Sequence, residues 1–410
     1  MKIELPNDKL GYYTVNGNKF YGKLDAVLHA QQRLSDIDWY FNNEILDSYD
    51  WTVEPDTSLN DLYLKRAKQL REEYDYIIVM ASGGADSTNI IYSFLKNGIH
   101  LDEVFMGAPL SGLKNFNWSN TDLSSSNLIS ETKYALLPLA DEIKTKWPNV
   151  KVTIHDFFED MISYKDGDWM LHGGHWIHAT VSRYSFERYS HIKNLAESGK
   201  KIAKIFGADK PFLIRNEKGE IYNSIIDVSC QVGIQKSSSE EYPNLETVYF
   251  YLTPDMPEIM IKQSHVLARW LYSPENLKIK SLMADVRGGD KWNQNEIRFS
   301  MFHRANIPIV YPMLEGRNPF QTFKSFRNFT ELAHDSWFFN LHGQTKLAEM
   351  IKSDINSIKN LIHPKYINPL SNSLKVHIYP RSIGHETSFM KDNKNLYIPD
   401  AKELNFNLSI

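Results

Sequence analysis

The residues with the clearest chemical content are Ser82, Gly83, Gly84, Asp86 and Ser87, which fall in the run Ser-Gly-Gly-Ala-Asp-Ser. Adjacent glycines permit positive φ angles and let successive backbone N–H groups converge on one point, which makes an anion nest. A helix starting near Ser87 adds unpaired N–H groups and the positive end of its dipole. A chain of phosphates suits such a place. Ser82 and Ser87 offer hydroxyl donors to its oxygens, and Asp86 offers a carboxylate to magnesium, a hard cation that prefers oxygen ligands. No Gly-Lys-Ser or Gly-Lys-Thr follows, so the run differs from a Walker loop and lacks that loop's lysine.

The elements around this run must hold it in place. Residues 76–81 are continuously apolar and rich in isoleucine and valine, which predicts a strand buried on both faces of a parallel sheet. Before it, "DTSLNDLYLKRAKQLREEYD" at 56–75 has capping residues and apolar positions at Leu59, Leu62, Leu64, Ala67 and Leu70, which predicts a surface helix. After it, the strand patterns "LDEVFMGAP", "VKVTIHDFF" and "KKIAKIFGADKP" alternate with helical ones, including "LISETKYALLPLADEIKTKWP". This alternation predicts an α/β fold with a doubly wound, mostly parallel sheet and right-handed crossovers. Ligands bind outside the carboxyl ends of such strands, where both the glycine run and Ala208-Asp209-Lys210-Pro211 lie.

Elsewhere the punctuation is local. Asn16-Gly17 in "YYTVNGNKFYG" predicts a tight hairpin, followed by a helix from Lys23 to about Gln32. Past Cys230 the alternation fades. Just before that point, "FLIRNEKGEIYNSIID" predicts a hairpin turning at Glu217-Lys218-Gly219, and beyond it "TPDMPEIMIKQSHVLARWLYS" predicts a helix started by prolines. The expected organisation is an N-terminal α+β segment (1–70), a phosphate-binding α/β domain (71–230) and a mainly helical domain (231–410) that closes the site and chooses the substrate.

Composition narrows the function classes. The chain has 410 residues, 42% hydrophobic and 23% charged, as in ordinary globular proteins. A net charge of −4 and a pI near 6.4 give no global footprint for nucleic acid, although a local basic groove stays open. The single Cys230 excludes an internal disulfide and thiolate-rich metal sites, and we read it as a buried small hydrophobe. The opening "MKIELPNDKL" has no apolar signal core, and no run of about 18 apolar residues occurs, so a cytoplasmic protein without a membrane partner is expected. No motif speaks to oligomeric state.

The Ser82–Ser87 run, with strand before and helix after, resembles the Ser-Gly-Gly-x-Asp-Ser signature of the PP-loop ATP pyrophosphatase superfamily, the adenine nucleotide alpha-hydrolase-like proteins. That superfamily includes asparagine, NAD and GMP synthetases, and the resemblance covers about residues 72–230. It implies ATP with Mg2+, the β,γ-pyrophosphate seated in the loop, attack at the α-phosphorus, and AMP and pyrophosphate as products. In the synthetase branch a comparable second loop brings a lysine or an acidic residue to the phosphates. The resemblance therefore assigns Asp209 and Lys210 to nucleotide binding and Lys210, with Asp86, to catalysis.

Lys2 and Cys230 lack the surroundings of a glutaminase nucleophile, which favours an adenylating ligase. It would activate a carboxylate or amide-type oxygen of a small molecule or nucleotide for attack by ammonia or an amine. Two alternatives stay open: sulfur transfer to a nucleotide or nucleic acid, and a nucleotide-binding or assembly protein without turnover.

Three further clusters carry polar residues capable of chemistry. His172, His175 and His178 have metal-ligand spacing on a helix, but Gly173 and Gly174 interrupt one and favour a loop or packing among Trp169 and Trp176. Arg183, Arg188 and His191 lie along a helix facing either an anionic substrate or water. Gln263 and His265 border either the cleft or a packed stripe.

Overall fold

The computed structural model describes residues 8–113, 132–156, 158, 189–207, 212–216, 218–227, 244–273, 309–314, 343, 362–366 and 376–389. Asn16 (φ 49°) and Gly17 (φ 82°) make the two-residue turn between β1 (Tyr12–Val15) and β2 (Asn18–Phe20). Two positive φ angles match the right-handed twist of the strands, as a primed turn requires. The expected helix follows as α1 (Lys23–Ala30), and β3 (Asp38–Tyr40) pairs with the other edge of β1. Asp227 anchors this segment to the rest of the chain by accepting from the Tyr13 hydroxyl at 2.9 Å and pairing with Lys23 at 3.1 Å.

A short α2 (Asn43–Leu46) precedes α3 (Leu59–Glu73), where Ser58 caps the helix by accepting the Asp61 N–H at 3.2 Å. The buried face of α3 runs through Leu59, Leu62, Tyr63, Arg66, Ala67 and Leu70. Arg66 is a charged residue on this buried face. It is fully buried and donates to the Tyr249 carbonyl at 3.0 Å, tying α3 to the central sheet.

That sheet comprises β4 (Tyr76–Ala81), β5 (Glu103–Ala108), β6 (Lys151–Asp156), β7 (Ile202–Phe206) and β10 (Leu245–Tyr249). Its order is β10-β7-β4-β5-β6 and every pairing is parallel. Alternate residues divide between the two faces. Ile77, Val79, Val104, Met106, Ala203 and Ile205 share a core with α4 (Ala85–Leu95) and, beyond α5 (Leu110–Leu113), α6 (Leu137–Lys146). Ile78, Phe105, Ile202 and Leu245 pack on the other side against Ile192 and Ala196 of α7 (Ser190–Glu197). Helices therefore cover both faces, and the fold is α/β. Within the stretch 128–148, where one helix is expected, Thr132–Leu136 forms a π-helical turn ahead of α6.

The strand β10 lies beyond residue 230, so the sheet draws on both sides of that position. Between β7 and β10, β8 (Phe212–Arg215) and β9 (Glu220–Ile226) form the expected hairpin. The other edge of β9 pairs with β11 (Val376–Ile378) and β12 (Gly384–His385), which leads into α9 (Glu386–Phe389). The helix expected after the prolines is α8 (Glu258–Leu271). Among the described residues no helix is long and apolar enough to cross a membrane.

Candidate functional site

Strand β4 ends at Ala81, and Ser82, Gly83 and Gly84 turn the chain into α4. Gly83 has φ +81°, whereas Gly84 is the N-cap with φ −67° and ψ 169°, so only the first glycine uses the left-handed region the sequence assigned to both. Crowding makes a second demand on Gly83. A Cβ there would lie 2.4 Å from the Ala135 carbonyl carbon and 2.6 Å from the Leu136 nitrogen, inside the π-helical turn.

The helix starts at Ala85, two residues earlier than expected, which places Asp86 and Ser87 in its first turn. Thr88, which the sequence did not single out, donates its hydroxyl to the Gly84 carbonyl at 2.8 Å and lies 3.3 Å from the Gly83 carbonyl. Both carbonyls are thereby turned toward Thr88. The Gly84 N–H meets the Ser82 hydroxyl at 3.3 Å, and Ser87 donates to the Gly84 carbonyl at 3.2 Å.

The loop stands where the order of the sheet reverses. Next to β4 is β7, and Gly207 follows β7 so closely that a Cβ on it would lie 3.0 Å from the Asp86 Cβ. Asp86 accepts a short hydrogen bond from the Tyr311 hydroxyl, and its backbone carbonyl accepts from Tyr251 at 2.9 Å. Asn89 donates to the Tyr251 hydroxyl at 3.0 Å. Burial, followed by the Asp86 charge, pushes the Tyr311 phenol well above its ordinary value. Tyr251 is pushed the same way, by burial and then by Tyr63 and Asp86.

Among the described residues, no group of three or more His, Cys, Asp or Glu is placed to hold a metal. Magnesium is commonly held by one or two carboxylates with phosphate oxygens and water completing its shell. In this loop the carboxylate that could hold such an ion is Asp86, with the Ser82 and Ser87 hydroxyls as oxygen-bearing neighbours in sequence.

The remaining predicted residues separate. Asp209, Lys210, Cys230, His172, His175, His178, Arg183 and Arg188 lie outside the described residues. His191 is part-buried and engaged with the sheet. Its Nε2 is 2.9 Å from the carboxylate of fully buried Glu103, which also accepts from Tyr76 at 2.9 Å and Thr153 at 2.5 Å. Gln263 and His265 belong to the packed stripe, both nearly inaccessible, with Gln263 donating to the Tyr63 hydroxyl at 2.9 Å and His265 beside the Trp51 carbonyl at 2.9 Å.

Sequence reasoning missed Thr88, Tyr251 and Tyr311. Thr88 was detectable as a residue whose hydroxyl reaches back one helical turn, but the tyrosines are 165 and 225 positions from Asp86, with no local signal linking them to it. No family model matches this chain, and comparison with curated proteins and with solved structures likewise gives no significant match.

Proposed function

We propose that this protein is an AMP-forming ATP pyrophosphatase of the PP-loop type, acting as an adenylating ligase. The observation that carries the reading is the Ser82-Gly83-Gly84 turn, with its left-handed Gly83, between the central strand β4 and the N-terminus of α4. The strand order β10-β7-β4-β5-β6 supports it. Growth in one direction from β4 and then in the other is the pattern of a doubly wound sheet, whose ligands sit at the reversal point.

On this reading the backbone N–H groups of Gly83 and Gly84 and the dipole of α4 receive the β,γ-pyrophosphate. The Ser82 hydroxyl, now near the Gly84 N–H, gives up that contact to a phosphate oxygen. Ser87 lends a further hydroxyl, and Asp86 holds magnesium. Bound magnesium neutralises charge on the departing pyrophosphate. Donors fixed before the reaction stabilise that charge without reorganising, which is where such a loop contributes most to rate. With the terminal phosphates anchored, the α-phosphorus is the centre open to a carboxylate or amide-type oxygen, and an amine or ammonia then displaces AMP. Lys210 and Asp209 complete the phosphate contacts in this scheme.

Nucleotide chromatography after incubation with ATP, magnesium, ammonia and pools of candidate carboxylates tests the proposal. AMP and pyrophosphate are expected. ADP and phosphate would overturn the mechanism.

A further inference from the structure

Residues 309–314 lie along α4 although they are more than two hundred positions from it in sequence. Tyr63 of α3 donates to the Val310 carbonyl at 2.5 Å, and Lys96, just past α4, donates to the Met313 carbonyl at 2.8 Å. These two bonds hold the segment on either side of Tyr311. The Tyr311 ring is fully buried, 5.4 Å from the ring of Tyr251 and 6.3 Å from that of Tyr63. Its hydroxyl ends on Oδ1 of Asp86. Tyr251 fixes the backbone of the same residue from the same side, through the Asp86 carbonyl.

We propose that Tyr311 is a positioning residue that sets the orientation of the Asp86 carboxylate for the magnesium ion accompanying the phosphates. The proposal rests on the assignment of Asp86 as the magnesium-holding carboxylate. An ionised carboxylate accepts at about four lone-pair positions, so the Tyr311 bond at Oδ1 does not by itself exclude a cation. A carboxylate at a helix N-terminus has several rotamers, and a rigid donor selects one. Tyr311 is suited to this because its ring is immobilised by Tyr63 and Tyr251. Partners of this kind behind a metal ligand typically change metal affinity by about 10- to 100-fold when removed.

The test is calorimetric titration with α,β-methylene-ATP, which cannot release pyrophosphate, with and without magnesium chloride. The informative quantity is the ratio of the two dissociation constants. Tyr311→Phe removes only the hydroxyl. It is expected to reduce the magnesium-dependent gain by about 10-fold or more, while magnesium-free affinity stays within about twofold. In an Asp86→Asn background the same change should have no further effect, because coupled residues are non-additive. An unchanged ratio in Tyr311→Phe, or equal weakening with and without magnesium, would overturn the proposal. Wild-type protein that binds the nucleotide equally well with and without magnesium would overturn the Asp86 assignment as well, a failure visible before any variant is made. Should Tyr311→Phe fail to fold, Tyr63→Phe releases the Val310 carbonyl and must lower the ratio in the same selective way for the proposal to stand.

Discussion

Gly83 answers to two constraints at once, a backbone angle and a wall. A non-glycine residue at φ +81° carries strain of about 1–3 kcal/mol. Forcing a methyl group against the Ala135–Leu136 backbone adds overpacking of similar size, about 1–3 kcal/mol. Gly83→Ala is therefore expected to destabilise the fold by about 2–6 kcal/mol and to abolish the rise in melting temperature produced by magnesium-ATP. Gly84→Ala, at φ −67°, should cost far less stability. Comparable melting temperatures for the two variants would contradict the account.

The turn formed by this run was legible because Ser, Gly, Gly, Asp and Ser are adjacent in the chain. Which glycine turns left-handed was not, since that depends on the π-helical turn brought against it from residues 132–136. Tyr311 was still less visible. It sits in "FSMFHRANIPIVYP", which reads as an ordinary polar-aromatic stretch until α3 and α4 are placed beside it.

At the scale of elements, α8 is fastened to the loop before α3 by a three-membered charge cluster. Glu54 receives Lys262 at 2.7 Å and a two-pronged contact from Arg269. Burial alone would raise the Glu54 carboxyl, but the two cations outweigh it and carry it from 4.5 to about 2. A folded value below the unfolded one means that the stabilisation is complete above 4.5 and is lost as pH falls toward 2. Urea midpoints measured across that range should show wild type and Glu54→Gln converging as the solution is acidified. A gap between them that does not change with pH would show that the carboxylate's charge is not what matters.

The helices and strands themselves were largely readable. β4 declares itself by six apolar residues in a row and α3 by its capping serine and apolar spacing. The strand β10 does not, because Leu-Glu-Thr-Val-Tyr is short and carries two polar residues, and its place is fixed by β7 beside it. Likewise His191 reads as a surface histidine until the start of β5 sets Glu103 opposite it.

For the whole molecule, the alternation of strand and helix specified a parallel sheet, while the order of its strands came from crossovers that no local pattern encodes. Growth of the sheet on both sides of β4 puts the glycine loop at its centre, and the segment at 309–314 then closes over α4 from far along the chain. The consequence is temporal. At about 5–20 residues per second a ribosome needs roughly 10–45 s to travel from Asp86 to Tyr311, and for about that long the helix behind the loop stands without the segment at 309–314. Nascent chains halted before residue 309 should therefore be cleaved by protease within α4, and chains halted well beyond residue 314 should resist. Equal resistance at both lengths would mean that α4 is secured by the sheet alone and that the late segment is added to a helix already closed.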